Sequence, residues 1–244
     1  CMACKHELRW SDLVPLFSFL VLGGKCRYCG VKLSWQYPAV ELLNAVGWLW
    51  IGWMAMKGIS LVGIGTLGVH PLCNYLGTLE ATCEPNWGII KVLMLLMLWS
   101  LSLAALVIDI KHLLLPDELT IVMVLIGLIL ILIGSPLPFY DRLIAGLMAM
   151  GSFYVLHWST NGMGMGFGDV KLAAGLGMLL GWFSGWVVAV SFLLGSVVGI
   201  IMLIVGKARF GVQIAFGPFL IIGMWIVLVW GEVIRNGYRL MMGF

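Results

Sequence analysis

A carboxylate directly follows a glycine-rich segment in the second half of the chain. Residues 161–168 read NGMGMGFG, and Asp169 comes next, at the start of a long apolar run. Glycine tolerates positive φ angles and lets a second chain approach the backbone closely. An acid beside membrane-like sequence is costly unless it is used or neutralised. The segment therefore indicates a functional site, with a structural alternative in which Asp169 is the N-cap of a helix beginning at Val170.

A second carboxylate, Asp109, lies near the end of an earlier apolar run. It is followed by Lys111 and then by a proline, Asp117 and Glu118. Asp109 either takes part in chemistry or has a structural role, as a helix cap or as the partner of Lys111. Asp117 and Glu118 follow Pro116, and acids at the start of a helix complement its dipole, so a structural role is expected for both.

Two carboxylates at one membrane depth are the arrangement that aspartyl proteolysis requires. One ionised Asp activates a water molecule while the other, protonated, polarises the scissile carbonyl, so the pair shares a proton. A transporter is an alternative, because acids within membranes often mark ion paths. A scaffold in which Asp109 and Asp169 are both helix caps is another. Both acids lie at the ends of apolar runs, which favours the protease over the transporter.

Four cysteines near the start of the chain form two CxxC pairs. Cys1 and Cys4 are the first pair, Cys26 and Cys29 the second, and 21 residues separate the pairs. Four thiolates on one tetrahedral Zn²⁺ would hold a small segment that has little core of its own. Disulfides or free thiols are the alternatives. Thiols that remain reduced imply the cytosolic side of a membrane.

The composition predicts a membrane protein. Apolar residues are 62% and charged residues 10% of the 244 residues, whereas soluble domains contain about 25% charged residues. We predict an all-α polytopic fold in which 1–37 form the zinc domain and 38–244 the transmembrane peptidase domain. At ~20 residues per span, about seven transmembrane helices are expected, at 38–57, 88–109, 118–134, 141–159, 170–183, 185–206 and 216–235.

The distribution of charge predicts an orientation. With the cysteine segment in the cytosol, nine of the 14 Lys and Arg residues fall inside, as positive-inside sorting favours. Counting spans then brings Asp109 and Asp169 to the cytosolic face. Cys73 and Cys83 fall in an external loop, where a disulfide between them is a hypothesis. The net charge of +3 gives no reason to expect a nucleic-acid partner, and the lipid bilayer is the expected surrounding.

Several motifs in order along the chain resemble those of the type IV prepilin peptidases. The GFGDVKL segment at 166–172 looks like the GxGD signature of that family, and Asp109 with LPDELT at 115–120 resembles its other aspartate motif. The CxxC pairs, WSDLVP at 10–15, YPAVE at 37–41 and FGPF at 216–219 resemble its bacterial members. The family has one further span before the cysteine segment, and the start at Cys1 within a motif agrees with a missing N-terminal piece.

The resemblance implies a bifunctional enzyme of the cytoplasmic membrane. Such an enzyme cleaves the leader of type IV prepilins or pseudopilins after a glycine, then N-methylates the new N-terminus with S-adenosylmethionine. It implies that Asp109 and Asp169 are the catalytic pair and that Gly24 and Lys25 bear on methyl transfer. Gly166 and Gly168 are expected to leave room for the extended substrate. Lys171 is expected to stabilise a carboxylate or to hold a backbone carbonyl. A GxGD protease with another substrate is the remaining alternative, against which the zinc domain argues.

Overall fold

The protein folds into helices, in two compact units that comprise residues 1–52 and 53–244. The computed structural model describes residues 4–7, 9, 12, 14, 16–61, 64–67, 88–113, 115–133, 138–162, 165–206 and 215–242. Cys1, Cys73 and Cys83 lie outside the described residues. The elements are α1 (Phe17–Val21), α2 (Gln36–Met56), β1 (Ser60–Leu61), β2 (Gly65–Thr66), α3 (Gly88–His112), α4 (Asp117–Leu132), α5 (Phe139–Ser159), α6 (Phe167–Leu180), α7 (Ser184–Ile204) and α8 (Gly217–Met242).

Helices lie at all seven predicted span positions, but the count of seven spans is not confirmed. Within the described residues, four stretches are long and apolar enough to cross a membrane, at 36–56, 88–112, 167–204 and 217–234. The third stretch contains both α6 and α7, which a single 3-10 turn at Gly181–Phe183 separates. At 1.5 Å per residue, the 16 residues of α4 and the 14 of α6 extend only ~24 and ~21 Å, less than a hydrocarbon core of about 30 Å. The apolar helices establish a membrane protein.

The first unit contains a turn that brings its second cysteine pair together. The N–H of Cys26 donates to the carbonyl of Val31 (2.9 Å), and the N–H of Gly30 donates to the carbonyl of Cys26 (2.9 Å). Asp12 anchors this turn, because its carboxylate pairs with Arg27 (3.0 Å) and accepts the hydroxyl of Tyr28 (3.2 Å). One hairpin-like turn therefore presents Cys26 and Cys29 on the same side.

In the second unit, helices α3 to α8 run alternately up and down. The N-terminal turn of α5 contacts the C-terminal end of α6, where Arg142 donates to the carbonyls of Met178 (3.3 Å) and Leu179 (2.5 Å). At the opposite end, His157 of α5 lies against the segment that leads into α6. Along α7, Ser191 donates to the carbonyl of Phe219 near the start of α8 (3.0 Å). One end of this bundle therefore collects the C-termini of α3 and α5 and the N-termini of α4, α6 and α8.

Helix α6 is the central helix of the second unit, in contact with α4, α5, α7 and α8. Its crossing with α5 is close because both helices carry glycine there. A Cβ at Gly177 would lie 2.5 Å from the Cα of Gly146, and one at Gly175 would lie 2.6 Å from Val124 of α4. Small residues give helices in membranes this close backbone approach. The tight packing fixes the depth and rotation of α6, and with them the direction of Asp169.

Arg142 stabilises the far end of α6. Its side chain is 1% exposed, and its guanidinium caps the last carbonyls of the helix, which have no partner within it. A cation at a helix C-terminus is also favoured by the helix dipole. Gly181, with φ +59°, then ends the helix. The sequence pattern alone does not reveal this role of Arg142.

Candidate active site

Asp109 is buried near the C-terminus of α3, facing the first residue of α8. It is 5% exposed. Its Oδ2 has no hydrogen bond of good geometry, although the backbone of Gly217 lies beside it. A Cβ at position 217 would collide with this oxygen. Because glycine has no Cβ, the start of α8 can approach the carboxyl group of Asp109 closely at position 217. A helix N-terminus stabilises negative charge in this position.

Asp169 lies in the first turn of α6 and is 7% exposed. The N-cap of α6 is Gly166, and the helix begins at Phe167, so the structural alternative in which Asp169 is the N-cap is wrong. The glycines continue into the helix, and Asp169 becomes its third residue. There it still benefits from the helix dipole. Its N–H donates to the carbonyl of Gly166 (3.2 Å).

The two carboxyl groups lie close enough to interact electrostatically. Leu115, in the connection between α3 and α4, lies against both the start of α6 at Gly168 and the start of α8 at Gly217. A Cβ at Gly168 would lie 3.0 Å from the Cβ of Leu115, and one at Gly217 would lie 3.1 Å from its Cδ1. The structure therefore brings Asp109 and Asp169 together at one end of the bundle, where the N-termini of α6 and α8 converge. Two buried carboxyl groups so placed suit acid–base activation of water.

Lys171 forms an ion pair with Asp117, and the described residues show no ion pair between Lys171 and Asp109 or Asp169. Its Nζ lies 2.7 Å from Oδ1 of Asp117 in α4 and 5.1 Å from the ring centroid of Phe167. Asp117 is half of this ion pair between α4 and α6, in addition to lying in the first turn of α4. The ion-pair partner of Lys171 is therefore Asp117, for which the sequence predicts a structural role that complements the helix dipole. It is neither a catalytic carboxylate nor a backbone carbonyl.

Beside this ion pair, a cavity of about 320 Å³ opens between α4 and α6. Apart from Asp117 and Lys171, it is lined by Thr120, Ile121, Val124 and Leu125. An apolar cavity with charge at one end lies near the end of the bundle that carries the two aspartates.

Three cysteines of the first unit form a group suited to a metal ion. The Sγ atoms of Cys4, Cys26 and Cys29 all lie within 4.8 Å of one another. No disulfide joins Cys4, Cys26 and Cys29 to one another. Hydrogen bonds from the backbone of Cys29 and Tyr28 lower the pKa of the Cys26 thiol, which favours the thiolate that binds metal. Zinc held by four thiolates at ~2.3 Å places the sulfurs at a comparable spacing, so the three thiols fit such an ion.

Comparison with known proteins identifies the family. The profile of the bacterial peptidase A24 N-terminal domain matches residues 1–55, and that of the type IV leader peptidase family matches residues 94–204. A prepilin leader peptidase/N-methyltransferase of Aeromonas salmonicida is 33% identical over 243 residues, which cover 98% of this chain and 73% of the relative. The chain belongs to the type IV leader peptidase family.

Further relatives carry the same name. The Pseudomonas aeruginosa protein is 34% identical over 249 residues, covering all of this chain and 75% of the relative. The Pectobacterium carotovorum protein is 34% identical over 245 residues, covering 98% and 75%. No solved structure matches the chain. Membership in this family makes the chain a peptidase and confirms the resemblance seen in its motifs.

For this leader peptidase, the residues expected to bear on methyl transfer lie in the first unit. Gly24 has φ +69°, and a Cβ there would lie 3.0 Å from the ring of Phe19. Lys25 is exposed and forms a single β-bridge with Lys32. The ring of Phe19 meets that of Trp35 edge-on at 4.9 Å. Both the backbone angle and the adjacent ring therefore favour glycine at position 24.

Proposed function

We propose that the chain is a membrane aspartyl endopeptidase that removes the leader of type IV prepilins or pseudopilins after a glycine. The observation that carries this proposal is the pairing of two buried carboxyl groups, Asp109 and Asp169, at one end of a bundle of apolar helices. The names of the relatives support the substrate class. An acid pair at helix ends also suits peptide hydrolysis better than an ion path through the bilayer centre.

The pair is proposed to act as a general base and a general acid. The ionised carboxylate takes a proton from water as the water attacks the scissile carbonyl, and the protonated carboxyl group donates to the carbonyl oxygen. Collapse of the tetrahedral intermediate then breaks the C–N bond. The amine takes the proton that the first carboxylate removed from water, and a hydroxyl group of the intermediate returns a proton to the second carboxylate, so both groups regain their starting states. Gly166 and Gly168, in the segment directly before Asp169, have no side chains, so an extended peptide backbone can lie beside them.

The proposed site faces the cytosol of the cytoplasmic membrane, together with the cysteine domain. A prepilin helix lies in the bilayer with its basic leader on the cytosolic side, so its scissile bond reaches the end of the bundle that holds both acids. The surplus of Lys and Arg on the proposed inner side supports this orientation. The zinc ion is proposed to be structural, with Cys1 as the fourth ligand beside Cys4, Cys26 and Cys29.

A second activity, N-methylation of the new N-terminus, is proposed for the same chain. Bound S-adenosylmethionine would supply the methyl group. Gly24 and Lys25 are the residues proposed to serve this step. The ring of Trp35, which is 73% exposed beside Phe19, offers an aromatic face of the kind that stacks on an adenine ring. The relatives' name includes this transferase activity.

Mass spectrometry of the products tests both activities. The purified protein in detergent is incubated with a prepilin, with and without isotopically labelled S-adenosylmethionine. We expect a free leader that ends in glycine and, with the methyl donor, a mature chain heavier by one labelled methyl group. Asp109→Asn and Asp169→Asn should each abolish leader release. Asp141→Asn is the matched control and should retain it, because Asp141 lies in the first turn of α5 at the opposite end of the bundle. No leader release by the wild-type protein would refute the proposed function.

A further inference from the structure

His157, in the last turn of α5, makes a hydrogen bond to the glycine-rich segment. Its Nδ1 lies 2.8 Å from the carbonyl oxygen of Met165. A carbonyl oxygen accepts only, so Nδ1 must carry a proton and donate it. Met165 is 7% exposed, and a bond in such a place costs more to break than one in water. The sequence alone assigns His157 no more than a structural role.

The same residue also contacts the other parts of this segment. The N–H of Gly162 donates to the carbonyl of His157 (2.9 Å). Gly162 has φ +75°, and a Cβ there would lie 3.2 Å from the imidazole Cε1. The imidazole lies 5.7 Å from the ring of Phe167, the first residue of α6. His157 therefore contacts the segment near its start, at Met165 and at its end.

The hydrogen bond from His157 is made to the residue directly before the N-cap of α6, and Asp169 lies in the first turn of that helix. Met165 precedes Gly166, the N-cap of α6, and the carbonyl of Gly166 accepts the N–H of Asp169 (3.2 Å). The Oδ2 of Asp169 also lies next to Gly166, 3.7 Å from where a Cβ would stand. Glycine-rich backbone has many accessible conformations. A donor that holds the Met165 carbonyl reduces that freedom at the peptide unit that joins the segment to α6.

We propose that His157 is a positioning residue of the peptidase site. By donating from Nδ1 to the carbonyl of Met165, it holds the glycine-rich segment against α5, so that α6 begins at Phe167 and the carboxyl group of Asp169 faces Asp109. This proposal deepens the proposed peptidase function and rests on it for its activity readout. The proposed role requires a proton on Nδ1 of His157. A role in packing alone would not depend on which imidazole nitrogen carries a proton.

Three substitutions test the position of the donor. Asparagine puts an amide N–H close to the place of Nδ1, whereas glutamine puts one nearer the place of Nε2, and alanine has none. We expect His157→Asn to keep kcat for prepilin cleavage within about threefold of wild type. We expect His157→Gln and His157→Ala to lower kcat by roughly 10- to 100-fold, the size of effect that misplaced catalytic groups produce, with KM little changed. His112→Ala, at an exposed position at the same end of the bundle, is the control and should cleave as wild type does.

Hydrogen–deuterium exchange gives a second measurement that needs no activity. We expect amides of residues 161–169 to exchange faster in His157→Ala and His157→Gln than in His157→Asn and wild type, with the rest of α5 unchanged. Equal kcat and equal exchange in the glutamine and asparagine variants would overturn the proposal, as would loss in all three variants. If the wild-type protein releases no leader, the proposed function fails, while the exchange comparison still decides whether His157 positions the segment.

Discussion

Lys171 and Asp117 form an ion pair of 2.7 Å that joins α6 to α4 beside the proposed catalytic carboxyl groups. The side chains are 36% and 61% exposed, and the ammonium of Lys171 also lies over the ring of Phe167. The pair therefore ties together two helix N-termini at the edge of the site. Lys171 is two residues from Asp169, so helix geometry directs the two side chains to different sides of α6, and the ion pair holds Lys171 toward α4.

Loss of this ion pair should have a small effect. An exposed pair contributes about 0–1 kcal/mol, so Lys171→Met, Asp117→Asn and the double variant should each lower cleavage less than about tenfold, with a coupling free energy below about 1 kcal/mol. A double-mutant cycle on thermal unfolding and on kcat/KM measures both effects. A loss of 100-fold in Lys171→Met that Asp117→Asn does not share would mean that Lys171 contacts the substrate instead.

Gly217→Ala should inactivate the site without unfolding the protein. The new Cβ would occupy the place of the Asp109 Oδ2 and would also press on Leu115, so the carboxyl group must turn away from Asp169. We expect a fall in kcat of about 100-fold or more, the cost of displacing a reacting group by ~1 Å. Gly237→Ala is the matched control in the same helix, because nothing lies within 4 Å of a Cβ there. Equal kcat in the two variants would show that Asp109 is not held in place by α8.

Gly177→Ala should instead destabilise the protein. The added methyl group would meet the backbone of α5 at Gly146 and Ala145, which has no flexible end to move aside. Overpacking of this kind costs typically about 1–3 kcal/mol, which a lower melting temperature in detergent would report. Gly151→Ala in α5, where the space is open, provides the comparison. A melting temperature of Gly177→Ala equal to that of the control would contradict the close crossing of α5 and α6.

Zinc binding by the first unit can be measured directly. Metal analysis of the purified protein should find about one zinc ion per chain. Cys26→Ser and Cys4→Ser should each lose it, because the remaining thiolates no longer complete the ligand set. Cys73→Ser, outside both CxxC pairs, should retain the full content. Full zinc in Cys26→Ser and Cys4→Ser would remove the proposed site.

The positions of the helices follow from local features of the sequence, because apolar runs, prolines and glycines are read without knowing the fold. The predicted span at 170–183 corresponds to α6 at 167–180, shifted because Gly166, and not Asp169, takes the N-cap position. The spacing of the two CxxC pairs likewise indicates a metal group by itself, and three of those cysteines do converge.

The contacts that shape the candidate site were not predictable in this way. The approach of Gly217 to Asp109, the pairing of Lys171 with Asp117 and the bond from His157 to Met165 depend on how helices pack. No periodicity within a helix encodes such partners, and a single sequence offers no other signal for them.

The central claim is that Asp109 and Asp169 act as one catalytic unit. Its most direct test is the rate of prepilin cleavage by Asp109→Asn, Asp169→Asn and the double variant, measured with each protein correctly folded. Groups that act as a unit are strongly non-additive. The account predicts that each single variant loses at least about 1,000-fold, in the range that loss of acid–base catalysis produces, and that the double variant is no slower than either. Substantial cleavage by either single variant, or losses that multiply in the double variant, would contradict it.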